Sequence, residues 1–233
     1  MLIGIVGLIG SGKDTVAQRL VEKHGYIKDS FAKSLKDAVS SMFNWDREML
    51  EGDTTSSRHW REKPDKFWSK KFGKDITPRW VLQYFGTEVM RGQMYDAIWI
   101  DSCIGRYKGQ NTVISDTRFV NEIKTIKAHG GIIICVKRGK LPTQKEMQES
   151  GAHQSEWDWL DSDFDIVLDN NGTLDDLYAK VDDLIVGNKI AHTPSQSADS
   201  SQPLQLAQTV FKLAELVFLR FPSTNSTSSC ALS

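Results

Sequence analysis

The first fifteen residues, MLIGIVGLIGSGKDT, constrain the fold more than any other stretch of the chain. Leu2, Ile3, Ile5 and Val6 have the aliphatic, partly β-branched character of a buried strand. Gly7, Gly10 and Gly12 follow in close succession, and the residues after Lys13 suit a helix. Glycines let successive backbone N–H groups turn into one concavity, to which a helix N-terminus adds partial positive charge and Lys13 a full one.

Gly7, Gly12 and Lys13 fall in register with the phosphate-loop pattern G-x-x-x-x-G-K-[ST], while Asp14 stands at the hydroxyl position and Thr15 comes one residue later. The hydroxyl of that pattern is a Mg²⁺ ligand, so either Thr15 supplies it or Asp14 takes part. Such a concavity suits the β- and γ-phosphates of a nucleotide.

Further along, apolar runs alternate with helical patterns. A helix is expected over 12–23, ended by Gly25, with Val16, Leu20 and Val21 inward. DSFAKSLKDAVSSMF repeats Phe31, Leu35, Val39 and Met42 at helical spacing and carries Lys36 on another face. Strands are expected at 112–115, 132–136 and 165–168 besides the first. Helices between them and after Thr173 complete a parallel α/β sheet of three layers.

The interval 44–76 breaks this cadence. Trp45, Trp60, Phe67, Trp68 and Phe72 lie among many charges without a sustained period, which reads as a mobile insertion with short helices at 47–50 and 65–72. Arg58 and Arg61 within it can reach a phosphate. Thr77-Pro78 is a helix start, a hydroxyl cap before Pro at the first helical position. The helix it opens sets Arg79, Gln83, Thr87 and Arg91 at i+4 steps, a polar stripe suited to a phosphate and a base edge. Gly86, costly in a helix, marks a close approach. Another helix is expected over 95–104. Asp116 sits where the 112–115 strand ends, a position from which a carboxylate can hold Mg²⁺ or its water shell. Arg118 and Glu122 are i,i+4 neighbours, a spacing that suits a side-chain pair, either a surface ion pair or one positioned to bind the acceptor. Lys137-Arg138-Gly139-Lys140 opens a lid-like segment, 137–161, that includes HQSE at 153–156.

A formal net charge of −1 gives no global attraction to nucleic acid or an anionic membrane, so anion binding has to come from local Arg and Lys clusters. Three widely spaced cysteines make neither a disulfide framework nor a zinc site and suit a reducing, cytoplasmic setting. The expected domain is 1–186. Residues 187–233 read as a Ser/Thr/Gln-rich tail interrupted by an apolar helical run at 204–221. The final Cys230-Ala231-Leu232-Ser233 matches the prenylation pattern by letters alone, without polybasic support.

With these residues placed, the chain resembles the phage-type deoxynucleoside monophosphate kinases, within the phosphate-loop, nucleoside-monophosphate-kinase-like group. The resemblance spans about 1–186. It rests on GSGKDT (10–15), FAKSLKDA (31–38), RWVLQYFGT (79–87), SDTRFVNE (115–122), HQSE and DNNGTLDDL. It implies transfer of the ATP γ-phosphoryl group to a deoxynucleoside 5′-monophosphate, serving DNA precursor synthesis. Gly10, Ser11, Gly12, Lys13, Asp14 and Thr15 would hold ATP and Mg²⁺. Lys36, Arg79, Gln83, Thr87, Asp116, Arg118 and Glu122 would bind the acceptor. Ser34 departs from the family, which usually has Pro there. The residue chemistry adds Arg58 to the acceptor set and Arg138 as a lid cation beside Lys13 and Arg118, with Asp14, Thr15 and Asp116 toward the metal. No nucleic acid or membrane partner is expected, and a homodimer is left open. Competing readings are a dephospho-coenzyme A or phosphomevalonate type of kinase, and a nucleotide-hydrolysing switch.

Overall fold

A computed structural model describes residues 1–186; the 187–233 tail, with its expected 204–221 helix and Cys230, lies outside the described residues. β1 (Leu2–Val6) is the central strand of a five-stranded, wholly parallel sheet ordered β2-β3-β1-β4-β5. The other strands are β2 (Ile27–Asp29), β3 (Thr112–Ile114), β4 (Ile132–Lys137) and β5 (Ile166–Asp169). Every residue of β1 is buried, as its unbroken apolar run requires of a strand covered on both faces.

The period of two divides that burial between layers. Ile3 and Ile5 pack with Val16, Leu20, Leu177 and Val181, from α1 (Lys13–His24) and α9 (Leu174–Val186). Leu2 and Val6 face the opposite layer, with Ile100, Ile123 and Ile126 of α6 (Ile98–Ile104) and α7 (Val120–Ala128). Gly4 lies on that second face, where a Cβ would come within 2.5 Å of Ile126 Cδ1. This is the three-layer α/β architecture read from the sequence, with β1 delivering its loop between the C-terminal ends of β3 and β4, where the strand order reverses.

The strand Ile27–Asp29 has no counterpart in the sequence reading. It is an edge strand of three residues with Ile27 and Lys28 exposed, too short and too polar to show a period. The 95–104 helix begins later than expected, at Ile98.

The aromatic interval is packed rather than loose. Leu35, Val39, Trp45, Leu50, Ile76, Val81 and Trp99 form a third core, with Trp60, Trp68 and Trp80 against it. It joins α2 (Lys33–Phe43), α3 (Thr55–Glu62), α4 (Lys66–Phe72) and α5 (Pro78–Gln83). Trp45 Nε1 donates to Asp65 at 2.9 Å and the half-buried Trp68 Nε1 to the Phe43 carbonyl at 3.0 Å, so both indoles meet their polar requirement. Residues 47–50 are a turn, not a helix; the helix forms at Thr55, where Thr54 and Ser57 make a reciprocal cap. The 137–161 segment contains α8 (Gln144–Glu149) and a 3₁₀ turn, Gln154–Glu156. Trp159 and Leu160 bury its end in the α6–α7 layer.

After α5 the helix widens into a π-helix, Tyr84–Met94. This breaks the i+4 stripe. Arg79 remains at the site, while Arg91 is buried 3.8 Å over the Phe119 ring and pairs with Asp96 and Glu122. Gly86 does serve a close approach, but to a helix of the protein itself: a Cβ there would stand 2.6 Å from Leu35 Cδ2. Its carbonyl accepts Trp99 Nε1 at 2.9 Å.

Candidate active site

The glycine loop leaves β1 and enters α1 through Gly10 and Gly12, both at positive φ (78° and 103°). Side chains are excluded by space as well. A Cβ on Gly7 would overlap the Val136 carbonyl and the Ser11 hydroxyl, and one on Gly12 would lie 2.5 Å from Asn170 Nδ2. Asn170 Nδ2 donates to the Ser11 carbonyl at 2.8 Å, bracing the loop from the β5–α9 turn. Farther back, Asp182 of α9 accepts from Arg19 (2.6 Å), Lys23 (2.7 Å) and His24 (2.8 Å) of α1, clamping the helix that presents the loop.

Two polar groups in this loop stand ready for a ligand. Ser11 Oγ is buried without a hydrogen-bond partner, a costly state unless something else supplies one. Lys13 folds its ammonium back to the Leu8 carbonyl at 2.8 Å. Burial, reinforced by the charge of Arg118, lowers the Lys13 pKa to about 8. An anion in the concavity would reverse both penalties.

Across from the loop lies a second cationic group. Arg118 Nη1 donates to Glu156 Oε1 at 2.9 Å and Arg79 Nη2 to the same oxygen at 3.3 Å, while Arg79 Nη1 reaches Glu62 at 2.9 Å. Glu156 is itself held in place. Its carbonyl accepts the buried Trp159 indole at 3.1 Å, and His153, capping the same turn, bonds Glu88 of the π-helix at 3.0 Å. Arg61 faces Arg79 and Arg118, and burial followed by their two charges depresses its pKa. Glu156 sits in the HQSE motif, but no sequence spacing shows that its carboxylate bridges two arginines from distant segments.

The remaining expected residues divide by placement. Lys36 is largely buried and pairs with Glu51 at 2.5 Å, and Glu51 also takes Arg47. Gln83 and Thr87 are half-buried, with no hydrogen bond from their side chains among the described residues. Asp14 is exposed and Thr15 half-buried in the first turn of α1. Arg138 is exposed, and its neighbour Gly139 donates to Asn171 at 2.8 Å, next to the Asn170 that braces the loop. Arg58 is turned to its own loop, donating to the carbonyls of Gly52 (3.0 Å) and Asp53 (2.8 Å). Arg61, three residues on, is the arginine of α3 that lies near Arg79 and Arg118.

Asp116 and Glu122 make hydrogen bonds within the protein. Asp116 accepts from Ser30 Oγ (2.7 Å), Phe31 N (3.0 Å) and Ala32 N (2.9 Å), so both its oxygens fasten the entry to α2 onto the end of β3. Glu122 is buried behind the site. Its Oε2 accepts the backbone N–H of Arg118 (2.7 Å) and Phe119 (3.0 Å), and Oε1 takes Arg91 at 3.3 Å. Burial pushes its carboxyl up to about 7. The expected Arg118–Glu122 side-chain pair is therefore a main-chain cap that leaves the guanidinium free to reach Glu156. Ser34, where Pro is usual, bonds Ser102 (2.6 Å) and accepts from Arg106 (3.1 Å), which ties α2 to α6.

Comparison with known proteins decides the family. The family model described as deoxynucleotide monophosphate kinase matches residues 65–181. A putative deoxynucleotide monophosphate kinase of Acanthamoeba polyphaga mimivirus is 32% identical over 196 residues, covering 78% of this chain and 94% of that protein. The chain belongs to the deoxynucleotide monophosphate kinase family. It is thus a kinase, and all three arginine-site residues Arg79, Arg118 and Glu156 fall within the span matched by the deoxynucleotide monophosphate kinase model. The deoxynucleotide monophosphate kinase of Escherichia phage RB69 is 29% identical over 114 residues, 46% of this chain and 44% of that protein. Among solved structures, shikimate kinase from Aquifex aeolicus overlaps 82% of this chain and 99% of its own at a TM-score of 0.41 and 13% identity, too distant to bear on function.

The residues fit a nucleotide's phosphates: glycines where a Cβ would intrude, an orphaned Ser11 hydroxyl and an ammonium held against its preference. Among the described residues no cluster of three His, Cys, Asp or Glu could hold a metal ion. Mg²⁺ in phosphoryl-transfer sites takes few protein oxygens and fills its shell with phosphates and water, so Thr15 and Asp14 are a compatible donor set. No helix among the described residues is long and apolar enough to cross a membrane.

Proposed function

We propose that this kinase transfers the γ-phosphoryl group of ATP to a deoxynucleoside 5′-monophosphate, giving the diphosphate and ADP in supply of DNA precursors. One observation carries the reading. Arg79 and Arg118, from separate segments, converge on the Glu156 carboxylate at 3.3 Å and 2.9 Å, and the ammonium of the glycine loop, lowered first by burial, also feels the charges of Arg118 and Glu156. Two anion sites of this kind suit two nucleotides held end to end.

In this reading Gly10, Ser11, Gly12 and Lys13 hold the donor phosphates, with Lys13 exchanging the Leu8 carbonyl for phosphate oxygens. Thr15 and Asp14 face the metal, which when bound neutralises charge on the phosphates. Arg79 and Arg118 orient the acceptor phosphate, and Lys36, Gln83 and Thr87 line the same side. Glu122 and Asp116 fix the backbone from which Arg118 and α2 work. An acceptor phosphate oxygen is already ionised, so alignment and charge neutralisation suffice without a general base.

The test is ADP formation by the purified chain with ATP and Mg²⁺, presenting each deoxynucleoside monophosphate in turn and dephospho-coenzyme A separately. Turnover is expected with one or more monophosphates, and Lys13→Ala should lower kcat by orders of magnitude. ATP consumption indifferent to any monophosphate, or acceptance of dephospho-coenzyme A alone, would overturn the reading.

A further inference from the structure

Arg91 is the one buried arginine among the described residues, and its inward contacts converge on the start of α7. Its guanidinium lies 3.8 Å over the Phe119 ring, Nη2 donates to Asn121 Oδ1 at 2.9 Å, and Nη1 donates to Glu122 Oε1 at 3.3 Å. The exposed Asp96 takes its outer edge at 3.0 Å. A buried guanidinium is tolerated when it is paired this fully. With its side chain 6% exposed, it is closed off from a substrate phosphate. The π-helix is what turns it inward, since at α-helical pitch Arg91 would continue the stripe of Arg79, Gln83 and Thr87.

Glu122 faces two ways. Oε1 takes Arg91, and Oε2 accepts the backbone N–H of Arg118 (2.7 Å) and Phe119 (3.0 Å). One carboxylate thus joins Arg91 to the main chain from which the Arg118 side chain departs toward Glu156. An ionised carboxyl holds two N–H donors better than a protonated one. Around it stand Asp116 at the end of β3, whose charge opposes ionisation, and the Cys103 thiol of α6, neutral because burial pushes it up to about 12. Asp158 accepts Val120 N–H at the same helix start, at 3.0 Å. Arg91 is the cation that favours the charged form.

We propose that Arg91 is a positioning residue for the acceptor site: from the π-helix it keeps Glu122 an anion, and that anion holds the main chain at Arg118 so that the guanidinium reaches the acceptor phosphate. The assignment rests on the acceptor reading above. It adds a residue that governs acceptor use without touching the substrate, and it makes that use depend on pH. Burial sets the Glu122 carboxyl at about 7, so as pH falls through that value the cap is protonated and loosens. Removing Arg91 takes away the charge that holds the value down, and the loosening moves to higher pH.

The experiment follows kcat/KM for an accepted monophosphate at saturating ATP, from about pH 5.5 to about pH 9, in the full chain. Wild type, Arg91→Gln, Arg91→Lys and Glu122→Gln are compared, with thermal unfolding of each. The second ionisation of the monophosphate, near pH ~6, and that of Lys13, at about 8, are common to all four, so differences between them report Glu122. Arg91→Gln should move the acid limb up by about one pH unit, the effect of losing one opposite charge at this range. Acceptor kcat/KM should then fall about tenfold near pH ~7, with the deficit closing at higher pH and ATP KM within about threefold of wild type. Arg91→Lys, which keeps the charge, should recover most of the loss. Glu122→Gln should lack the Glu122 limb and leave that of the monophosphate. A folded Arg91→Gln whose loss is the same at every pH has a structural defect alone and overturns the assignment. Should Arg91→Gln not fold, Glu122→Gln decides: a lost limb supports the assignment, and a profile of wild-type shape overturns it. A wild type that phosphorylates no monophosphate overturns the acceptor reading, and the role of Arg91 falls with it.

Discussion

Replacing Gly86 by alanine tests the packing that shapes the acceptor side of the molecule. A Cβ at position 86 would stand 2.6 Å from Leu35 Cδ2, whereas carbon atoms rest about 3.5–4.0 Å apart, so roughly 1 Å of displacement is demanded. Leu35 is 7% exposed and enclosed by the third core, and on the other side the Gly86 carbonyl is held by Trp99 Nε1, which leaves little room for either to yield. Overpacking of this kind costs about 1–3 kcal/mol. The better helix propensity of alanine returns up to about 1 kcal/mol. Gly86→Ala should therefore destabilise by about 1–2 kcal/mol, read as a lower urea midpoint at unchanged slope. Leu35→Ala alone should cost about 2–5 kcal/mol through the cavity it leaves. In the double variant the new methyl enters that space, so the combined loss should fall short of the sum by about 1–2 kcal/mol. Additivity within about 0.5 kcal/mol, or a Gly86→Ala protein as stable as wild type, would refute the claim that this glycine exists to admit Leu35.

Ser11→Ala should make the ligand-free protein more stable, by up to about 1–3 kcal/mol, because it removes a buried hydroxyl whose lost hydration nothing repays. It should also diminish the rise in melting temperature that ATP with Mg²⁺ produces. An unchanged rise would show that Ser11 does not meet the nucleotide. Asp182→Asn probes the α1–α9 clamp. Its hydrogen bond from Arg19, ahead of those from Lys23 and His24, holds the carboxyl far below its ordinary 3.8, so the folded state binds fewer protons than the unfolded state below that value. The clamp's contribution is complete above pH ~4 and drains away as acid is added, through the folded-state pKa. Melting temperatures of wild type and Asp182→Asn should accordingly differ at pH 7, converge toward pH 2 and draw together in high salt; a gap constant across that range would refute it.

The layers and the glycine loop were legible because they depend on short-range pattern. An apolar run buried on both faces, glycines at the turn into α1, and the Thr77-Pro78 cap each declare themselves within a few residues. What the pattern hid is tertiary. Ile27–Asp29 becomes a strand only by pairing with β3, and three half-exposed residues carry no period. The aromatic insertion lacked periodicity because its tryptophans converge from short helices onto one small core, not along one helix face. Among site residues the arginines were readable, but their targets were not. Arg118 and Glu122 at helical spacing suggested a side-chain pair, yet Glu122 caps the backbone and the guanidinium crosses to Glu156, 38 positions away. The place of Asp116 at a strand end is visible in the sequence, but not that its oxygens accept from a loop some 85 positions earlier. Arg58 and Arg61 could not be told apart until the turn at Gly52 separated their directions.

The crowding of indoles into the third core has a practical consequence. Five of the protein's seven tryptophans, at positions 45, 60, 68, 80 and 99, sit there, and Trp157 and Trp159 lie in the α6–α7 layer. The α1–α9 layer has none. Intrinsic emission therefore watches the half of the molecule assigned to the acceptor and is nearly blind to the half that carries the glycine loop. A monophosphate should perturb the spectrum directly, while a triphosphate binding alone should register only as far as it reorganises the other side.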